Sequence, residues 1–377
     1  MVDLSEIRHV TVDPAARRAR CGGGCTWADV DAATQQHGLA VTGGMVSHTG
    51  IGGLTLGGGV GWLMHRHGLV VDNLVAAEVV LADGRIVRTS AERLPDLFWA
   101  VRGGGGNFGV VTEFEYRLHP VGPEVHLAFL FWPQDQMEAA LKLSRDTARR
   151  LPPDSAGIPF ALNAPPAPFV PEELHGALGC AFLVAGFGTA EEHAALVEPI
   201  VQALPPAVRF VTPMPYTALQ QMFDEAPFAW GVQAYTRGLY FDRFSDDAIS
   251  VLAEHLPRKS SPLTAVPMFL FTGACAEVGD DDTAFGGSRS AECMLVIDVI
   301  ATDAETLAAD RTWARTMWDA LRPLATNTGS YVNALAEQDD DRIRDSYGRG
   351  KYERLAEIKA IYDPGNLFHR NANIKPA

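Results

Sequence analysis

A protein of mixed helix and strand, built around more than one hydrophobic core, is what this sequence predicts. Three observations carry that expectation. The chain has 377 residues, more than one core usually serves. Its 47% hydrophobic and 20% charged residues are ordinary for a globular protein. Its texture also changes at "HPVGP", residues 119–123, with short β-rich runs around one helix before it and strands alternating with helices after it.

In the first part, "RHVTVD" and "RRARCGGG" read as strands, and "TWADVDAATQQHG" as a helix opening at Thr26 and stopped by Gly38. "LAVTGG" reads as a further strand. "VAAEVVLADGRIVRTS" is the clearest local signal, because two β-rich runs flank Asp83-Gly84, a pair suited to the positive φ angles of a hairpin turn. "DLFWAVRGGGGNFGVVTEFEYRLHPVG" then runs from a short helix through four glycines into a β-branched strand.

In the second part, strand-like "VHLAFLFW", "GCAFLVAGFG" and "ECMLVIDVIA" alternate with helical "DQMEAALKLSRDTARRL", "AEEHAALVEPIVQAL" and "AETLAADRTWARTMWDAL". Alternation by itself suggests a parallel sheet. Proline-rich loops such as "NAPPAPFVPEE" suit an antiparallel sheet with helices on one face equally well, and periodicity does not choose between them. The tail holds one helix, "YERLAEIKAIY", ended by Asp363-Pro364-Gly365, and then an irregular "NLFHRNANIKPA".

Charge and cysteine content narrow the function classes. The net charge of −15 repels nucleic-acid phosphates and anionic membrane surfaces. No apolar run of eighteen residues exists to span a bilayer, and the opening "MVDLSEIRHVTVD" lacks the pattern of a signal peptide, so a cytoplasmic protein is expected. Cys21, Cys25, Cys180, Cys275 and Cys293 form an odd set without C-x-x-C spacing, which argues against a disulfide framework or a zinc site and for buried, idle thiols.

Glycine occupies nine of the nineteen positions in "GGMVSHTGIGGLTLGGGVG", residues 43–61, and the stretch carries no charged side chain. Bare backbone lets a ligand approach closely, and successive N–H groups form an anion-binding concavity. Tight turns would explain one or two of these glycines, not all of them. No G-K-S/T follows, so a P-loop is absent, and "LTLGGGVGWL" is poor material for the crossover helix of a dinucleotide fold. "RGGGGNFGVVTEF", residues 102–114, repeats the chemistry with Asn107 and Phe108 at its mouth, and two such surfaces fit a long bipartite ligand.

Five segments in this order resemble the berberine-bridge-enzyme-like FAD-linked oxidases, whose flavin domain is of the vanillyl-alcohol-oxidase or p-cresol-methylhydroxylase (PCMH) type. They are "TWADVDAATQQHGLAV", "TGIGGLTLGGGVGWLMHRHGLVVDNL", "ADGRIVRTS", "DLFWAVRGGGGNFGVVTEFEYRLHP", and "YVN" with "YGRGKYERLAEIKAIYDPGNLFHRNANIKP". The resemblance implies an α+β fold: a PCMH-type FAD-binding domain over 1–122, an antiparallel-sheet substrate domain with helices on one face over 123–334, and a segment over 335–377 returning to the flavin domain. It implies FAD contacts at Gly50, Gly53, Gly57, Gly58, Gly59, Gly61 and Asn73, then at Gly106, Gly109 and Val111, with Asn371 and Asn373 beside the ring. The implied reaction is hydride transfer from an alcohol or amine-bearing carbon of a small molecule to flavin N5, with O2 as electron acceptor. Tyr331 matches a tyrosine that serves several relatives as proton acceptor, a role that needs a partner depressing a phenol pKa of about 10.

Other polar residues invite a role. His65 and His67 follow "GWLM" and read as structural histidines, and "EQDDDRIRD" as a solvated helix start without a metal. In "DDTAFGGSR" the histidine of the family's His-Arg pair is lost and Arg289 remains.

The sequence departs from the family at its front. Relatives begin with a further β-rich subdomain bearing an R-x-G-G-H loop that holds the diphosphate and bonds the ring covalently, and "VDLSEIRHVTVDP" matches that subdomain's end. "RCGGGC" mimics the loop but runs directly into "TWADVD". The family's second attachment point, a cysteine, falls on Val46, so a noncovalent flavin is expected. Lacking the N-terminal part of the flavin domain, the chain could act as an oxidase on its own, persist as a non-catalytic binding relative, or form half of a split flavoenzyme completed by a second chain. The first of these is favoured.

Overall fold

The computed structural model describes residues 2–225, 229–325, 329–337 and 339–377. The first part of the chain supplies β1 (Val10–Asp13), β2 (Arg18–Gly22), β3 (Leu39–Ala40), β4 (Leu74–Val80), β5 (Ile86–Ser90), β6 (Val110–Arg117) and β7 (His119–Pro120). Five of them form a sheet in the order β1-β2-β6-β4-β5, with β3 and β7 paired separately. The β4–β5 hairpin turns at Asp83-Gly84, where Gly84 has φ of 84°. The helix Trp27–Gln35 starts at Thr26, whose N–H and hydroxyl both donate to the Asp29 carboxylate, at 2.8 and 3.0 Å.

From Glu124 a second sheet begins: β8 (Glu124–Pro133), β9 (Ser155–Asn163), β10 (Leu178–Gly186), β11 (Val208–Pro215), β12 (Gln233–Phe241), β13 (Val266–Leu270) and β14 (Cys293–Ala301). Its order is β11-β8-β10-β9-β13-β14-β12 and every pairing is antiparallel. That resolves the choice left open by periodicity, and the fold is α+β. The pleat sends alternate residues to opposite faces. Leu127, Phe129 and Phe131 of β8 join a core shared with the glycine-rich segment, whereas Ala128, Leu130 and Trp132 join a core against the helices Met137–Ala148, Asp246–His255 and Ala304–Leu321. β12 divides the same way, with Tyr240 on the first face and Tyr235, Leu239 and Phe241 on the second.

The tail helix Asp340–Tyr362 breaks at Gly348, where φ is 69° and ψ is 161°. Its second half returns to the first domain, placing Leu355, Ala356 and Ile358 in that domain's core together with Ile374. Two local expectations need correction. "LAVTGG" forms only the two-residue strand β3, and the glycine stretch contains a helix, Ile51–Gly57, despite its poor propensity. Contacts made elsewhere in the fold override propensity here.

Candidate functional site

The two glycine runs meet, since the Gly105 N–H donates to the Leu56 carbonyl at 2.9 Å. Helix Ile51–Gly57 opens at Gly50 without a side-chain cap, so its first-turn N–H groups have no intrahelical partner. Gly50 and Gly53 are exposed, and a side-chain carbon added to either would meet nothing within 4 Å. At Gly105 and Gly106 the nearest atoms to such a carbon are the side-chain amide nitrogens of Asn107 and Asn371, each 3.4 Å away. Joined through the Gly105–Leu56 bond, these four glycines form a ledge without side chains.

The remaining expected glycines are otherwise engaged. An added carbon would fall on the Asn333 side chain at Gly57, on the Phe285 ring at Gly58, on Val70 at Gly59, on the Gly43 carbonyl at Gly61 and on Val79 at Gly109. Close internal packing is what requires glycine at the last four, Gly57 meeting only the end of an exposed side chain, and Gly58 and Gly59 also hold φ of 131° and 82°.

Tyr331 stands at the junction of the ledge and the second sheet. Its hydroxyl accepts from the Gly59 N–H at 2.9 Å and from the Asn333 amide at 3.0 Å, while the same amide reaches the Leu54 carbonyl at 3.3 Å. Burial pushes the phenol up to about 12, against the two donors that pull it down. The hydrogen-bond partners that the sequence left unnamed for Tyr331 are thus Gly59 and Asn333, and burial outweighs their pull on the phenol. Asn333, two residues on in "YVN", was not among the expected site residues, although its exposed side chain lies directly over Gly57.

The tail closes the other end. Asn107 donates to the Ala372 carbonyl at 3.1 Å and accepts from the Ile374 N–H at 3.0 Å. The fully buried Lys359 ammonium donates to the Asn107 carbonyl and the Asp363 carboxylate, both at 2.6 Å, and to the Phe368 carbonyl at 2.9 Å. This hub holds the tail that carries Asn371, beside Gly106, and Asn373, and both side-chain carbonyl oxygens are buried and without a hydrogen-bond partner.

Residues 1–90 match a family described as FAD binding domain, and residues 330–375 one described as berberine and berberine like. An FAD-linked oxidoreductase of Pyricularia oryzae is 30% identical over 387 residues, taking in 97% of this chain and 73% of that protein. The (R)-6-hydroxynicotine oxidase of Paenarthrobacter nicotinovorans is 27% identical over all of this chain and 81% of its own length. The solved structure of a chitooligosaccharide oxidase superposes with a TM-score of 0.84 at 22% identity, covering 100% of this chain and 82% of that one. The chain belongs to the berberine-bridge-like FAD-linked oxidoreductases.

FAD is the cofactor of this family, and the residues present fit it. A ledge that any side chain at Gly50, Gly53, Gly105 or Gly106 would obstruct, next to two orphaned amide carbonyls, suits a flat ring with a polar edge and a diphosphate. Two expected contacts of this FAD-linked oxidoreductase do not belong to that surface. Every polar group of Asn73 is taken: its amide donates to the His67 and Leu69 carbonyls at 2.9 Å, its side-chain oxygen meets His119 Nε2 at 2.6 Å, and its main chain pairs with Val70 and Arg117. Val111 turns its side chain into the first core opposite Val79.

The polar residues around the glycines are structural, as the sequence suggested. His65 bonds Thr272 Oγ1 at 2.9 Å and the Leu151 carbonyl at 3.2 Å. His67 stacks on His119 with centroids 3.8 Å apart, and burial pulls its pKa down to about 3. Arg289 grips Asp72 through two bonds of 2.8 and 2.7 Å and lies over the Phe285 ring, pinning the segment that covers Gly58. All five cysteines are free and buried, and among the described residues no cluster could hold a metal. Above Tyr331 the sheet face is apolar, formed by Phe160, Leu183, Phe269, Phe271 and Met294 with Tyr240 and Phe285 at its edge.

Proposed function

We propose that this oxidoreductase removes two electrons from an alcohol or amine-bearing carbon of a small organic molecule and passes them to dioxygen. FAD, when bound, supplies the hydride acceptor. The chain's own residues hold and shape. The Ile51 N–H already donates to the Cys25 carbonyl at 2.9 Å, so the Gly52 and Gly53 N–H groups and the Gly106 backbone offer donors to the cofactor's oxygens, and the Asn371 and Asn373 carbonyls offer acceptors to its N–H groups. Tyr331 presents a hydroxyl whose oxygen already accepts two bonds, so its proton is free to be donated to a substrate heteroatom and to orient it. The aromatic sheet face excludes water from that position.

The observation that carries this reading is the Tyr331 hydroxyl, positioned by Gly59 and Asn333 between the glycine ledge and an apolar sheet face. The relatives named for oxidation of a hydroxynicotine and of a chitooligosaccharide support amine- and alcohol-bearing substrates and dioxygen as acceptor. The flavin is held without a cysteinyl bond, a reading supported by Val46 where the family's attachment cysteine falls and by thiols that are all buried, several with pKa values pushed up by burial. Five free thiols also support a reducing compartment.

The purified chain is titrated with FAD and its visible absorption recorded before and after acid precipitation. Yellow protein whose colour is released by acid, and which bleaches anaerobically with an alcohol or amine and recovers in air, is the expected result. Protein that takes up no FAD, or whose bound flavin no alcohol or amine reduces, refutes the reading.

A further inference from the structure

On the helix side of the second sheet, away from the glycine ledge, lies a cavity of about 450 Å³. It opens between β12, the C-terminal end of helix Ala304–Leu321 and residues 329–337. That size suits a small organic ligand.

Arg237 of β12 forms its floor. The residue is only 8% exposed, and its guanidinium stacks on the Trp318 ring with its central carbon 4.0 Å from the centroid. No hydrogen bond or ion pair reaches its N–H groups from any described residue, and none of its nitrogens is sealed from solvent space. A buried cation without an acceptor is unfavourable unless something supplies the missing charge.

Three carboxylates line the cavity, Asp319, Glu337 and Asp345, and none of them makes an ion pair with Arg237. Glu337 is already clamped by Arg311, Arg315 and Arg342, and these three hold its pKa far below the usual carboxylate range. Arg315, Arg342 and Arg322 also line the cavity, so with Arg237 four guanidinium groups face the three carboxylates and one of those, Glu337, is already shared by Arg315 and Arg342. Burial, more than any neighbouring charge, pulls the Arg237 pKa down, as expected of a cation lacking a partner.

We propose that this cavity binds the carboxylate or phosphate group of a small organic molecule, with Arg237 as its principal ligand and Trp318 as the plane that orients the guanidinium. The planar fork of arginine suits both oxyanions, and desolvation at the cavity floor strengthens the bond. The site is separate from the flavin ledge, and its existence does not depend on the reading of the reaction. It is nonetheless one residue from Tyr331 in sequence, because Ser330, in the cavity wall, accepts from the Gly238 N–H at 3.0 Å.

The test uses the FAD-loaded protein, so that the flavin's own diphosphate site is filled. Thermal midpoints and calorimetric titrations are measured with inorganic phosphate and, separately, with benzoate, each against sodium chloride of equal ionic strength. Stabilisation beyond chloride by phosphate alone points to a phosphate ligand, and by benzoate to a carboxylate ligand; either supports the site. R237Q should weaken that binding at least tenfold, R322Q about threefold, and R349Q, on the fully exposed flank of the tail helix, not at all. Should R237Q fail to fold, R322Q measured against R349Q decides. A wild-type protein indifferent to both anions, or arginine variants that all bind equally, overturns the proposal.

Discussion

Across 272 residues of chain, the Gly59 N–H donates to the Tyr331 hydroxyl at 2.9 Å. The bond ties the packed part of the glycine stretch to the segment that follows the second sheet, and it has two separable consequences. Tyr331→Phe should leave flavin content unchanged while slowing flavin reduction by substrate at least tenfold, about 1.4 kcal/mol of barrier. The buried Gly59 amide then lacks an acceptor, so stability should also fall, by about 1–3 kcal/mol. Anaerobic rapid mixing reads the first effect and denaturant unfolding the second. Unchanged reduction removes Tyr331 from the reaction.

Tyr331 also sets a pH dependence by its absence from the neutral range. With its pKa raised to about 12, the phenol keeps its proton well beyond neutrality. The folded value lies above the ordinary value of about 10, so the stability it contributes is complete below that value and is lost as pH rises through about 12. The rate of flavin reduction should therefore show no inflection that Tyr331→Phe abolishes between neutral pH and about pH 10. A wild-type inflection there, missing in the variant, would show that the bound cofactor or substrate lowers the phenol's pKa and restores it as a base.

Asn371 and Asn373 make opposite predictions for the two states of the protein. Their buried carbonyls have no partner in the chain itself, so removing them should not weaken the apoprotein. Each alanine substitution should instead raise the FAD dissociation constant five- to thirtyfold, about 1–2 kcal/mol. Fluorescence titration of the apoprotein with FAD measures it, and unaltered affinity in both variants would detach the tail from the cofactor.

The pair Arg289–Asp72 joins the two sheets' connecting segments with only 2% and 8% of the side chains exposed. Arg289→Leu leaves Asp72 buried without its cation and should cost about 3–5 kcal/mol of unfolding free energy. Chemical denaturation is the measurement, and a loss below about 1 kcal/mol would mean that the pair is screened by water.

Asp31 supplies a pH prediction of its own. Its carboxylate is sealed under helix Trp27–Gln35, with one oxygen accepting from the Gln220 amide at 3.1 Å and the other unpartnered. Burial pushes its pKa up to about 7. The folded state thus holds the proton more tightly than the unfolded chain, and the stability gained below the ordinary pKa near 4 is lost as pH rises through about 7. Asp31→Asn should flatten the decline of the melting midpoint across that window and melt higher than wild type at pH 8; parallel curves would refute it.

What could be read from the sequence was what neighbouring residues decide. Thr26 and Asp29 fix a helix start within four residues, and Asp83-Gly84 fixes a hairpin, so both were legible. The direction of the second sheet was not, because β9 pairs with β13 across a hundred residues and only the resemblance to a family selected antiparallel order. The glycines were legible as a cluster but not individually. Whether Gly58 faces a ligand or the Phe285 ring depends on a residue more than two hundred positions away. Asn333 was missed for the same reason, since nothing in "YVN" shows that its amide reaches Leu54. The orphaned carbonyls of Asn371 and Asn373 became visible only through Asn107 and Lys359, which hold the tail in place.

The alternation along β8, β10, β12 and β14 gives this family a way to diversify. Neighbouring positions of one strand answer to different demands: Leu127, Phe129 and Phe131 must fit the core under the glycine-rich segment, whereas Ala128, Leu130 and Trp132 must fit the helices. Substitution confined to every second position can therefore repack one layer while the layer behind it stays as it was.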